Sequence, residues 1–160
     1  MTDEHPNPDP RTVRSLAVTV PDVVAAYEAG RRSERRPVLR VTPPFAGRMR
    51  ARLHDPGSSA DGDERDTDLD PDTGALHVPP SRFVDEDAIP AYPDPDDTED
   101  ALRADPDAEF TVERHRERHV DAVEAWRESV RESLVETVEL RLGEATHRVA
   151  VTTLGGASGE

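Results

Sequence analysis

Apolar positions along the chain follow two rhythms. Val38-Leu39-Arg40-Val41-Thr42 and Arg48-Met49-Arg50-Ala51-Arg52-Leu53 alternate with a period of two, the repeat of a strand with one buried face. Between them Pro43-Pro44-Phe45-Ala46-Gly47 reads as a turn. A five-residue loop there sets Val41 opposite Met49 and Leu39 opposite Ala51 on the core side. It sets Arg40 opposite Arg50 on the other side, flanked by Arg48 and Arg52. Val138-Glu139-Leu140-Arg141-Leu142 and Arg148-Val149-Ala150-Val151-Thr152 alternate in the same way around Gly143-Glu144-Ala145, predicting a C-terminal hairpin. The rival reading extends the preceding helix to Leu142, with Gly143 as its cap. Residues 15–19 and 75–78 predict short additional strands.

The second rhythm is helical. Val112, His119, Val123, Trp126, Val130 and Leu134 form a stripe over about Thr111 to Val135. Opposite charges at i, i+3 (Glu113–Arg116, Glu124–Arg127, Glu128–Arg131) decorate its other side. A shorter helix is predicted over Asp22–Ala29. Thr19 is its N-cap, Pro21 occupies its first turn and Gly30 marks its end. Val23, Val24 and Tyr27 lie on its buried face.

These elements predict an α+β fold: an antiparallel sheet built from two β-hairpins plus short strands, covered by one short and one long helix. A single domain is expected over residues 13–154. Flexible acidic tracts are expected at 55–74 and 85–109, the second with one helical turn at Glu99–Arg103. Residues 1–12 and 155–160 read as disordered tails.

Composition narrows the chemistry. The chain has no cysteine, which excludes disulfides, thiolate metal sites and a cysteine nucleophile. Every one of its 20 basic residues is arginine, which excludes a Schiff-base lysine and the lysine of a phosphate-binding loop. The 35 acids leave a formal net charge of −15. Such a surface repels itself in dilute buffer but is screened in molar salt, where the Debye length falls to about 3 Å. The N-terminus has neither the basic segment nor the apolar run of a signal peptide, and no apolar stretch reaches the ~20 residues of a membrane span. A salt-rich cytoplasm is therefore expected.

The charge is unevenly distributed. Residues 31–53 hold eight arginines against Glu34 alone, while residues 54–110 hold 19 acids against three arginines. On the predicted hairpin, Arg40, Arg48, Arg50 and Arg52 share one face. Like charges across a strand pair are destabilising, and arginine cannot shed its proton to relieve them. Something negative should lie over that face. The protein's own carboxylates, from 61–72, 94–100 or the long helix, are one source. An acidic partner protein is a second, and nucleic acid or a phosphate ligand a third. Nucleic acid is disfavoured twice: phosphate affinity falls steeply with salt, and only Phe45 is at hand for base stacking.

Other constellations carry less. His115 and His119 stand at i, i+4 and could reach one metal. However, Arg116 and Arg118 would oppose a cation, so packed or rim histidines are expected and no metal or other cofactor is assigned. Asp66-Thr67-Asp68-Leu69-Asp70 begins like a calcium loop, but Pro71 and His77 replace the required glycine and closing glutamate. No nucleophile elbow, dinucleotide fingerprint or distinct carboxylate pair is present.

In its acidic, lysine-free composition the chain resembles the small uncharacterised proteins common in haloarchaea. The resemblance implies only a salt-rich cytoplasm and carries over no functional residues. The expected function is a non-enzymatic interaction or accessory protein. It would dock an acidic partner through the arginine hairpin and self-associate or dock through the long helix, without contacting a membrane. A module binding anions or nucleic acid through the same arginines is the alternative, and an unrecognised enzyme the third.

Overall fold

The computed structural model describes residues 8–55 and 67–154. Residues 1–7 of the expected N-terminal tail, the tail at 155–160, and 56–66 of the first acidic tract lie outside the described residues. The rest of the expected tail 1–12 is not disordered, since Pro10–Thr12 form a 3-10 turn capped by Asp9 with Pro10 buried. The chain divides into two compact units, residues 86–133 forming one and the remainder the other. The α+β class holds, with three helices rather than two among the described residues.

In the larger unit, β1 (Ser15–Thr19) leads directly into α1 (Val20–Arg32). Thr19 caps the helix by accepting from the Asp22 N–H at 3.2 Å, and Pro21 sits in the first turn. Gly30 does not end the helix, which runs on to a cap at Ser33. Val20, Val23, Val24, Ala26 and Tyr27 are buried. Each fully buried valine side chain contributes about 1.5–3 kcal/mol.

Four further strands follow: β2 (Val38–Val41), β3 (Arg48–Arg50), β4 (Arg52–His54) and β5 (Leu76–Val78). The C-terminal hairpin is β6 (Thr137–Leu142) and β7 (Ala145–Leu154). The strand reading of 138–142 therefore prevails over the helix extension. Gly143, at φ +72°, opens the two-residue turn, a backbone state glycine adopts without the steric cost of a Cβ.

One sheet has the order β3-β1-β7-β6 and the other β4-β2-β5. The second is antiparallel throughout. The first is mixed, because β1 runs parallel to both of its neighbours, β3 and β7. An all-antiparallel sheet was the expectation from hairpin signals, which report only pairings between adjacent segments.

Two segments join the sheets. Arg48–His54 changes sheet at Ala51, which is fully buried and donates its N–H to Ala17 O at 2.9 Å. On the other side, Thr67 pairs with Leu142 of β6 and Leu69 with Leu76 of β5. The circuit of strand pairing thereby closes around Leu16, Val18, Leu39, Val41, Leu76, Val78 and Leu140, each fully buried. Closure leaves few free strand edges.

Part of the tract expected to be flexible is thus built in. Asp68 is buried (7% exposed) and its carboxylate is fully engaged. Oδ1 and Oδ2 accept from Arg82 at 2.9 and 2.7 Å, and Oδ2 also accepts from the Arg141 N–H at 2.7 Å. Arg82 donates further to Glu139 O at 3.1 Å. The described part of the run that begins like a calcium loop, Thr67 to Leu69, therefore serves as a strand bridge.

The smaller unit holds α2 (Pro95–Ala104) and α3 (Val112–Arg131). It corrects the expectation that 85–109 is a flexible tract with a single helical turn. Asp94 caps α2 through the Asp96 N–H at 2.9 Å, and Pro95 starts it. Thr111 caps α3 through the Arg114 N–H at 3.0 Å. Within the unit, Trp126 donates its Nε1–H to Pro90 O at 3.0 Å, and Tyr92 meets the indole edge-on at 4.8 Å. Val123, Trp126 and Val130 of the expected stripe are buried. Val112 is not, being 70% exposed, and Leu134 lies beyond the helix in a bridge with Val84. The ion pairs Glu124–Arg127 and Glu128–Arg131 form at 3.5 and 2.8 Å.

Candidate functional site

The arginine segment is arranged differently from a simple hairpin. Arg40 does not face Arg50. It faces Arg52, Leu39 faces Leu53, and Val38 faces His54. This is a shift of two residues, and alternation is blind to it, since a two-residue slip keeps every side chain on the same face. The reason for the shift is Ala51: the chain passes through the buried crossing point there, so only Arg52–His54 remains free to pair with β2.

The four arginines consequently occupy two surfaces. Arg48 and Arg50 flank Met49 on β3, in register with Ser15 and Ala17 of β1. Both arginines are exposed. Arg40 and Arg52 belong to the other sheet, where Arg40 stands between Arg52 on β4 and His77 on β5. His54 and His77 lie side by side, with ring centroids 5.4 Å apart. Asp70 approaches His77 at 4.0 Å, while its oxygens also accept from the Asp72 N–H and the Thr73 hydroxyl.

The protein's own carboxylates were one of three expected sources of counter-charge for these arginines, and residues 61–66 of that source lie outside the described residues. Among the described residues, none of Arg40, Arg48, Arg50 and Arg52 makes an ion pair or side-chain hydrogen bond to a carboxylate. The Arg40 Nε is buried and has no hydrogen-bond partner among the described residues. Other arginines are paired by contrast: Arg35 with Asp55, Arg82 with Asp68, and Arg148 with Glu139.

One concavity accompanies the Arg48 surface. It encloses about 450 Å³, is open to solvent and is lined by Thr12, Arg14, Ser15, Gly47 and Arg48. Its framework is tightly held. Gly47 O accepts from both the Arg14 and Ser15 N–H groups at 2.8 and 2.9 Å, and Arg14 O accepts from the Ala150 N–H at 2.9 Å. His147 donates its Nε2–H to Val13 O at 2.6 Å. Sequence reading missed Arg14 because nothing in a local pattern brings β1 alongside β3 in parallel.

His115 and His119 lie on α3 with their rings stacked at 6.2 Å. One nitrogen of each is already engaged: His115 Nε2–H donates to Pro95 O at 2.9 Å, and His119 Nδ1 pairs with the Thr98 hydroxyl at 3.1 Å. Both rings therefore tie α2 to α3. No cluster of three metal-ligating side chains occurs among the described residues. In the same unit, Asp105 pairs with Arg118 at 3.1 Å. The Asp107 N–H and the Arg118 guanidinium hold the Asp105 carboxyl below its ordinary range.

Fold and surface together define an acidic α+β protein with a closed circuit of strands and, on two of its faces, arginines that no carboxylate of the described residues pairs. The chain belongs to the family described as Domain of unknown function (DUF8009), whose model matches residues 1–155. No curated protein and no solved structure matches it significantly. No helix among the described residues is long and apolar enough to cross a membrane.

Proposed function

We propose that this protein is a non-enzymatic docking protein of a salt-rich cytoplasm, and that Arg40, Arg48, Arg50 and Arg52 receive the acidic surface of a partner protein. One observation carries the reading. In a chain of net charge −15, these four guanidinium groups lack a carboxylate partner among the described residues. A planar donor fork left unpaired beside like charge is stabilised by a bidentate carboxylate. Nucleic acid is a weaker fit. Phe45, the aromatic beside the arginines, is buried at 4% exposure and offers no stacking platform. The exposed side of α3, with Val112 and Val120 at 70% and 59% exposure, supplies a second contact surface for a partner or a second copy.

The test is affinity capture in molar KCl with wild type, Arg48→Glu/Arg50→Glu and Arg40→Glu/Arg52→Glu. Arg141→Glu/Arg148→Glu on the C-terminal hairpin, outside both contact surfaces, serves as a charge-matched control. The reading expects an acidic protein that wild type and the control retain and a strand variant loses. Identical captures by all four proteins, or no specific capture by wild type, would refute it.

A further inference from the structure

We propose that the concavity at the head of β1 and β3 binds the phosphate group of a small phosphate monoester. The argument begins with its donors. Arg14 and Arg48 both line it, and neither side chain has a hydrogen-bond or ion-pair partner among the described residues. Thr12 and Ser15 add two hydroxyls. Among the described residues, no carboxylate is part of the lining. The nearby Asp9 is already committed, because Arg11 donates to both of its oxygens at 3.1 and 3.3 Å and thereby holds its carboxyl below the usual range. Two permanent guanidinium charges and two hydroxyls suit a dianion with several terminal oxygens better than chloride, a single-atom acceptor.

Rigidity and room point the same way. The doubly accepting Gly47 carbonyl and the Arg14–Ala150 bond fix both rims before any ligand arrives, so little ordering cost remains. The volume of about 450 Å³ lies within the usual range of small-molecule sites and exceeds what a bare phosphate ion fills. Gly47 is part of the lining, and a Cβ added there meets nothing within 4 Å, so a side chain can be introduced at the rim without striking the protein.

The site shares Arg48 with the docking face but does not depend on a protein partner. Binding is read by 31P NMR titration in molar KCl, with phenyl phosphate and inorganic phosphate as probes. Wild type, Arg14→Gln, Arg48→Gln and Gly47→Leu are compared with Arg50→Gln as control, and far-UV circular dichroism confirms that each is folded. Wild type and Arg50→Gln should bind phenyl phosphate saturably. Arg14→Gln and Arg48→Gln should each weaken binding about tenfold or more, the effect of removing a charged hydrogen bond. Gly47→Leu, which adds bulk at the rim, should weaken it. Tighter binding of inorganic phosphate than of the ester would overturn the monoester assignment. Absence of saturable binding to wild type, or an equal loss in Arg50→Gln, would overturn the site itself. Partner capture by Arg14→Gln separates the two proposals, since docking requires Arg50 and not Arg14.

Discussion

Removing the Asp68 carboxylate should open the strand circuit at its most polar joint. The side chain is 6% exposed and that of Arg82 is 17% exposed. Asp68→Ala would strand the Arg82 guanidinium in a largely dry site and leave the Arg141 N–H without its acceptor. Breaking a buried ion pair from one side costs about 3–5 kcal/mol. Arg82 retains its bond to Glu139 O and some access to water, which places the loss near the lower end, about 3 kcal/mol. In a chain of 160 residues, at about 2–4 °C per kcal/mol, the melting temperature should fall by about 6–12 °C. Thermal unfolding followed by far-UV circular dichroism measures this. Salt is the discriminating variable. A buried pair is screened little, so the loss should persist in molar KCl. Breaking the exposed Arg148–Glu139 pair with Arg148→Ala should instead cost about 0–1 kcal/mol. The double variant Asp68→Leu/Arg82→Met should recover part of the stability, because apolar packing replaces both desolvated charges. A loss below about 1 kcal/mol for Asp68→Ala, or one that vanishes with salt, would refute the assignment of Asp68 as the joint.

Three further outcomes are expected. Trp126→Phe removes the indole N–H that serves Pro90 O and part of the contact with Tyr92, and should destabilise the smaller unit by about 1–3 kcal/mol in chemical denaturation; an unchanged midpoint would contradict that packing. Gly143→Ala, at φ +72°, should cost about 1 kcal/mol in the same measurement, and a stabilised variant would show that the turn does not need glycine. Asp105 has its folded pKa depressed by the Asp107 N–H and by Arg118. It should therefore stabilise above the ordinary carboxyl pKa of about 3.9 and lose that effect as pH falls through the folded value; the gap between wild type and Asp105→Ala in Trp126 fluorescence unfolding should close toward acid pH, and a gap that widens there would have the wrong sign.

Much of the local structure was legible. Thr19 with Pro21, and Thr111, are caps whose mechanism lies within a few residues, and both open helices where expected. Alternation around Gly143 identified β6 and β7 because a tight hairpin needs only neighbouring residues. The helix ends were less legible: Gly30 lies inside α1, where helical geometry tolerates it at a modest cost. Ordered structure in residues 67–74 and 86–109 was hidden behind acidic composition. Its anchors are contacts with distant residues, such as Asp68 with Arg82 and Tyr92 with Trp126.

The sequence by itself determined an α+β chain, a concentrated island of arginines in an acidic background, and the inward side chains Leu39 and Val41 of β2 and Val138 and Leu140 of β6. These follow from composition and from a period of two, both local quantities. Only the tertiary structure decided that Arg48 and Arg50 part company with Arg40 and Arg52, that β1 runs parallel to its neighbours, and that Arg14 meets Arg48 across a shared hollow. Strand partners are chosen by the burial that the whole chain can achieve together, and a slip by two residues leaves every local signal unchanged.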